Sequence, residues 1–111
     1  MSSNKGKVQS SDSAARIEYS GFKDMDESDM VQIRKAAQDF AEKISGHGFG
    51  FDRLALRLKE IHKVDHNQKF EFHVEVNKGT VTRAAECTDK NPFKALDLAL
   101  KSLLVELNKT R

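Results

Sequence analysis

Histidine and cysteine are the residues of this chain whose side chains could bind a metal or attack a substrate. The four histidines are His47, His62, His66 and His73. Their spacing gives no HExxH pattern, and Cys87, the only cysteine, has no CxxC partner. A lone cysteine beside Ala84 and Ala85 is more often a small core residue than an activated nucleophile. The sequence therefore predicts surface histidines, no metal, no cofactor and no enzymatic activity.

Two further patterns could bind ions but are better explained by local structure. An acidic segment holds Asp24, Asp26, Glu27 and Asp29. It lacks the glycine and distal glutamate of a calcium loop, and Asp26 or Ser28 would cap a helix that starts here. Residues 46–50, GHGFG, lack the lysine and hydroxyl residue of a phosphate-binding P-loop. We therefore expect a helix start and a glycine-rich loop.

Basic residues are the remaining candidates for a binding site. Lys94 and Lys101 are seven residues apart, two turns along one exposed side of a predicted helix. The segment from Lys94 to Arg111 carries four positive and two negative side chains. Such a stripe could pair with a few nucleic-acid phosphates in a salt-dependent way. By pattern alone, an ordinary solvated helix face explains it better.

The basic residues of the central strands have acidic neighbours instead. Arg53, Arg57 and Lys59 would face away from the helices. On the next strand, Glu71, His73 and Glu75 would lie beside them, so cross-strand neutralisation is expected.

Composition limits the classes of protein that the chain could represent. With 111 residues, 38% of them hydrophobic, we expect a disordered tail over residues 1–14 and a single domain over 15–111. A net charge of +2 is too small to indicate nucleic-acid binding by bulk charge. One cysteine favours a reduced compartment, and neither a membrane span nor a signal peptide is visible. A cytoplasmic protein is expected.

The helix from Asn91 to Lys109 is the element that the sequence defines best. Asn91 can cap its first amides, and Pro92 suits the first helical position. Apolar residues repeat with the spacing of one helical face. They are Phe93, Leu96, Leu100, Leu103, Leu104 and Leu107. This apolar face must be covered by the rest of the chain.

The remaining elements follow from alternation and helical spacing. A strand is predicted over Arg16 to Phe22, and a helix that ends at Gly46 carries an apolar stripe: Met30, Ile33, Ala37, Phe40 and Ile44. Three hairpin-linked strands are then expected: Phe51 to Val64, one from Phe70 to Val76, and one from Val81 to Cys87. The order β-α-β-β-β-α predicts a two-layer α+β sandwich. Both helices would cover one face of a four-stranded sheet, as in the double-stranded RNA-binding domain.

The segment Arg83 to Leu107, RAAECTDKNPFKALDLALKSLLVEL, resembles the ribosome hibernation-promoting factors, also called ribosome-associated translation inhibitors. The matching positions are Arg83, Ala84, Glu86, Phe93, Ala95, Leu96 and Asp97. Phe51, Asp52 and Arg53 resemble the FDR motif at the start of that family's second strand. The element order is similar to the family's from Arg16 to Arg111.

This resemblance implies a protein that binds rRNA of the small ribosomal subunit in the channel used by mRNA and tRNA. It would inhibit translation and stabilise idle ribosomes without catalysis. The residues that the resemblance assigns to rRNA phosphate are Lys43, Arg83, Lys94, Lys101 and Lys109.

Two alternatives stay open from the residues. A double-stranded RNA-binding module would recognise an A-form duplex by shape, although KNPFKA provides Lys90 and Lys94 without that domain's paired lysines between them. A protein-interaction or dimerisation domain, with its partner on the sheet, is the other alternative. The oligomeric state is left open.

Overall fold

The computed structural model describes residues 16–46, 48, 50–61 and 69–109. These residues form four strands and two helices in the predicted order β-α-β-β-β-α. In chain order the elements are β1 (Arg16–Ser20), α1 (Glu27–Gly46), β2 (Arg53–Ile61), β3 (Lys69–Lys78), β4 (Val81–Asp89) and α2 (Pro92–Lys109). The predicted tail, His47, the turn with His62 and His66, and Arg111 lie outside the described residues.

The four strands form one mixed sheet in the order β1-β2-β3-β4. β1 runs parallel to β2, which is why the long helix α1 connects them. β2, β3 and β4 follow as an antiparallel meander. Gly79, with φ of +59°, lies in the two-residue turn between β3 and β4, where a positive φ suits a tight hairpin.

α1 begins directly after Asp26, whose carbonyl accepts a hydrogen bond from the Met30 amide at 2.9 Å. Asp26 therefore occupies the N-cap position, and Ser28, the other predicted cap, lies inside the first turn. The helix ends at Gly46, as predicted. Every residue of the predicted apolar stripe is buried, and Ala41 is buried beside it.

α2 follows its prediction closely. Asn91 Oδ1 accepts hydrogen bonds from the amides of Phe93, at 2.8 Å, and Lys94, at 3.3 Å. Pro92 is the first helical residue. Four leucines of its predicted apolar face are buried, namely Leu96, Leu100, Leu103 and Leu107, and Leu104 is half-buried. The Asn91 cap therefore fixes the residue at which α2 begins.

Strand boundaries differ from the sequence prediction in all four strands: β1 is shorter, β2 begins later, β3 is longer at both ends, and β4 extends to Asp89. β1 stops at Ser20 because Gly21 adopts a φ of +85°, which extended strands do not contain. β2 begins at Arg53 and its description ends at Ile61, inside the predicted Phe51 to Val64. Within these bounds the predicted alternation holds, because Leu54, Leu56 and Leu58 of β2 are all buried.

The buried residues of both helices and of β2 and β3 form one hydrophobic cluster. The strand members are Leu54, Leu56, Leu58, Phe72, Val74 and Val76, which alternate and so lie on one face of the sheet. Both helices therefore cover the same face, and the two-layer α+β fold is confirmed. No described helix or strand covers the opposite face.

Candidate nucleic-acid interface

Three of the five predicted site residues are exposed lysines of α2. Lys94 and Lys101, seven residues apart, lie on one exposed side of the helix, and Lys109 lies in its last turn. Lys101 Nζ lies 3.0 Å from Asp97 Oδ2, and Lys109 Nζ lies 3.4 Å from Glu106 Oε2. Lys94 has no ion pair with any described residue. The stripe therefore exists, but two of its three cations have a local carboxylate partner.

Arg83 occupies a different position, on the face of β4 that the helices cover. Its cross-strand partner is Val76, which is buried under the helices, and Arg83 itself is half-buried. The Arg83 guanidinium donates a hydrogen bond to the Thr82 carbonyl at 3.0 Å. Its charge therefore lies at the sheet margin rather than on the open face.

A contact between β4 and α2 shows how Arg83 and the α2 lysines are related. Cys87 Sγ lies 3.8 Å from Ser102 Oγ, so these positions are level with each other. Lys109 is about 10 Å further along the helix, and Arg83 is about 13 Å back along the antiparallel strand. Arg83 and Lys109 therefore lie at the same end of the molecule, and Lys94 lies towards the other end.

Lys43 is separated from this group in the chain, because it belongs to the last turn of α1. The other two cations of α1 have carboxylate partners on the same helix: Arg34 pairs with Glu27, and Lys35 pairs with Asp39 at 3.6 Å. Lys43 is exposed and has no ion pair within the described part of the chain. It is a basic position on an otherwise acidic helix surface.

Charged side chains of the open sheet face form a partly neutralised network. Arg53 Nε lies 2.9 Å from Glu18 Oε1 on β1, and Arg53 also reaches Glu75 on β3 at 3.7 Å. His73 lies between two carboxylates, at 3.0 Å from Glu86 and 3.7 Å from Glu75. The predicted neutralisation is present for Arg53. Its best-placed partner comes from β1, which sequence alternation could not identify.

Two further cations of β2 are not neutralised by ion pairs with described residues, although the strand register places them beside β3. Arg57 lies opposite His73 and Lys59 lies opposite Glu71, as expected for adjacent antiparallel strands. Neither basic residue has an ion pair with a described residue. The open face is therefore mixed in charge, with its cations towards β2 and most of its carboxylates towards β3 and β4.

Asp52, the middle residue of the FDR pattern, has a structural function that the sequence did not reveal. Its Oδ2 accepts a hydrogen bond from the Gly79 amide at 2.7 Å. Its own amide donates to the Asn77 carbonyl, also at 2.7 Å. Asp52 thus joins the start of β2 to the β3-β4 turn. An aspartate before one strand and a glycine in the hairpin turn after another were the available signal.

Tyr19 is a partly buried ionisable residue whose environment changes its pKa. Burial raises the pKa of the Tyr19 phenol above its ordinary value of 10.0, and the charge of Arg34 partly opposes this increase. Its ring meets Phe22 edge to face, with centroids 6.0 Å apart. These contacts place Tyr19 in the packing between β1 and α1.

The described residues contain no cluster of metal ligands and no membrane-spanning helix. No group of three His, Cys, Asp or Glu residues there could hold a metal ion. Cys87 is half-buried and packs against the core, in line with its predicted position. None of the helices in the described part of the chain is long and apolar enough to span a bilayer.

The fold, rather than the sequence, relates this chain to known proteins. No family model and no curated protein matches the sequence. A ribosomal subunit interface protein from Coxiella burnetii has a similar solved structure, with a TM-score of 0.55 and 17% sequence identity. The alignment covers 86% of this chain and 96% of that protein. The likeness therefore extends over the complete α+β arrangement.

Proposed function

We propose that this protein associates with the ribosome, binds rRNA of the small subunit, and inhibits translation or stabilises idle ribosomes without catalysis. The observation that carries the proposal is the fold shared with a ribosomal subunit interface protein over 96% of that protein's length. The resemblance of Arg83 to Leu107 to the hibernation-promoting factors supports the same direction independently.

The positions of the basic residues support phosphate contact by the helix layer. Lys94 and Lys101 extend from one exposed side of α2, and Lys109 and Arg83 lie at one end of the molecule. Lysine and arginine contacts to phosphate position a protein on RNA without reading the sequence. Lys43 would extend the contact surface to α1. Inhibition would follow sterically if the bound domain occupies the mRNA and tRNA channel.

The ion pairs of α2 do not oppose this proposal energetically. Lys101 and Asp97 have side-chain exposures of 72% and 60%, so water screens their attraction. Exposed pairs of this kind contribute only about 0–1 kcal/mol. Lys101 can therefore exchange Asp97 for an rRNA phosphate at small cost.

Co-sedimentation with purified small ribosomal subunits tests the association. We expect stoichiometric pelleting at low salt that declines steeply at higher salt, because phosphate contacts release counterions. Absence of pelleting at low salt would refute ribosome binding. Addition to a translation reaction, at concentrations that saturate the subunit, then tests whether association inhibits protein synthesis.

Charge reversal of two lysines tests the site assignment. The double variant Lys94→Glu/Lys101→Glu should reduce pelleting at least about tenfold, since two favourable phosphate contacts become repulsive. Lys35→Glu is the matched control, because Lys35 is also an exposed helical lysine with an i,i+4 carboxylate partner. If both variants pellet like the unmodified protein, α2 does not face rRNA. Circular dichroism should show that each variant remains folded.

A further inference from the structure

The two edges of the sheet differ in how well they resist pairing with another strand. β1, at one edge, is only five residues long. β4, at the other edge, has nine residues and pairs with β3 without a bulge, from Lys78↔Val81 to Phe70↔Asp89. Its sequence has no proline, glycine or lysine. Short strands, bulges, lysine and proline commonly protect an edge, and β4 has none of these; its inward-facing cation is Arg83.

No described residue pairs with the outer side of β4, so a row of backbone amides and carbonyls is available there. Charges along the strand are arranged unequally: Arg83 lies in the first half, and Glu86 and Asp89 lie in the second. Antiparallel association of two β4 strands would place the first half of each beside the second half of the other. The strand is therefore complementary in charge to a second copy of itself.

A two-fold axis at Ala85 gives the most favourable register. All nine residues of β4 then pair, and Thr82 lies opposite Thr88 of the second copy. Arg83 lies opposite Cys87 of the second copy and diagonal to its Asp89, on the same face, within reach of a long side chain. No two like charges lie directly opposite each other, and the one like-charged diagonal pair is Glu86 with Glu86 of the second copy, on the open face. A parallel arrangement would align identical residues and therefore like charges.

α2 provides apolar surface above the same edge. Ser102 contacts Cys87 of β4, which identifies the side of α2 that is nearest to the strand. Leu98, four residues before Ser102, and Val105, three residues after it, lie on this side. They are among the exposed large hydrophobic residues, at 38% and 54% exposure. An axis at Ala85 is level with about residue 106 of α2, so pairing of two β4 strands would bring the two Val105 side chains close together. Leu98 would lie about 12 Å from the axis, outside this contact.

We propose that two copies of this chain associate through β4, antiparallel about a two-fold axis at Ala85. Each copy would contribute its four described strands to one continuous sheet, and the two α2 helices would pack against each other around Val105. This association does not depend on the proposed ribosome binding. Both proposals use Arg83 and the exposed side of α2, so the two associations would compete, but a negative result in one test leaves the other proposal standing.

Sedimentation equilibrium of the complete chain, up to about 1 mM, tests dimerisation. Hydrogen exchange at the same concentrations tests the strand, because alternate β4 amides point away from β3 and become protected only on pairing. We expect a reversible monomer–dimer equilibrium with concentration-dependent protection of those amides. A monomer at every concentration would overturn the proposal, whether or not β4 is protected. A dimer with unprotected outer amides would also overturn it.

Val105→Lys tests the helix contact. It should weaken dimerisation at least about tenfold and remove the β4 protection, since it places two cations together at the interface. Val31→Lys is the control, because Val31 is 55% exposed on α1, away from β4, against 54% for Val105. Equal effects of the two substitutions would exclude the α2 contact. Circular dichroism establishes that both variants retain the fold.

Discussion

At the scale of single residues, the exposed cations of this protein differ in what surrounds them. Lys101 and Lys109 have carboxylates one turn away on the same helix. Arg53 is bound between two strands, with Glu18 on one side and Glu75 on the other. The α2 lysines can therefore exchange their local carboxylate partners for an external phosphate. The ion pairs of Arg53 instead connect β2 to both neighbouring strands. This difference favours the helices, rather than the sheet, as the surface for the proposed rRNA contact.

Tyr19 gives a prediction at this scale. Burial raises the pKa of its phenol above 10.0, so the unfolded chain loses this proton first as the pH rises. Stability is therefore complete below pH 10.0 and should decrease as the pH rises above that value. Tyr19→Phe should remove this part of the alkaline loss, as measured by urea unfolding at several pH values.

The titration can also be observed directly, because Tyr19 is the only tyrosine and the chain has no tryptophan. Phenolate absorbance should report a higher pKa in the folded protein than in urea. Equal values in the two states would show that Tyr19 is not buried as described.

At the scale of elements, the end of β1 is fixed by a close approach of two strands. A side chain at Gly21 would overlap the carbonyl oxygen of Leu58, and the φ of +85° is strained for any residue with a Cβ. Glycine is therefore required twice, for space and for backbone angle. The same approach places Phe22 against the core, 5.8 Å from the Phe72 ring.

Gly21→Ala should therefore lower the free energy of unfolding by well over about 1 kcal/mol. Gly48→Ala is a matched control, because Gly48 has a φ of +88° but no atom within 4 Å of the position of a Cβ. It should show only the cost of the backbone angle. Denaturant unfolding of both variants measures the difference, and equal losses would mean that Leu58 does not restrict the site.

At the scale of the whole molecule, one hydrophobic cluster joins both helices to the sheet. α1 and α2 do not form separate cores, and residues of the central strands β2 and β3 contact the same cluster. A small domain with one core should unfold as a single cooperative unit. Loss of packing under α2 should therefore be detected at β1, which lies at the opposite edge of the sheet from β4.

Leu100→Ala tests this cooperativity. Leu100 is 7% exposed, so its truncation should cost roughly 2–5 kcal/mol. Helical circular dichroism and Tyr19 fluorescence should shift to lower denaturant together, because Tyr19 reports on β1. Val105→Ala, at a position 54% exposed, should change stability by less than about 0.5 kcal/mol. Separate transitions for the two probes would indicate two independent units.

The sequence by itself determined the order of the elements and the residues that each one buries. The helix cap at Asn91, the alternation through Leu54 to Leu58, and the stripe of α1 are local patterns, and local periodicity directly reflects which face is buried. The same helical periodicity identified the candidate lysines on the exposed side of α2. Their pairing with Asp97 and Glu106 also follows from helical spacing, although the sequence interpretation did not use it.

Only the tertiary structure decided the relations between distant segments. The parallel pairing of β1 with β2, the Arg53–Glu18 contact and the Asp52–Gly79 hydrogen bond join residues that no local period connects. The position of β4 at one edge of the sheet depends on the order of the four described strands. Burial patterns identify a face, but strand order and register result from packing the complete core. For that reason the sequence indicated the candidate residues for rRNA contact, and the fold located them and placed β4 at an edge of the described sheet.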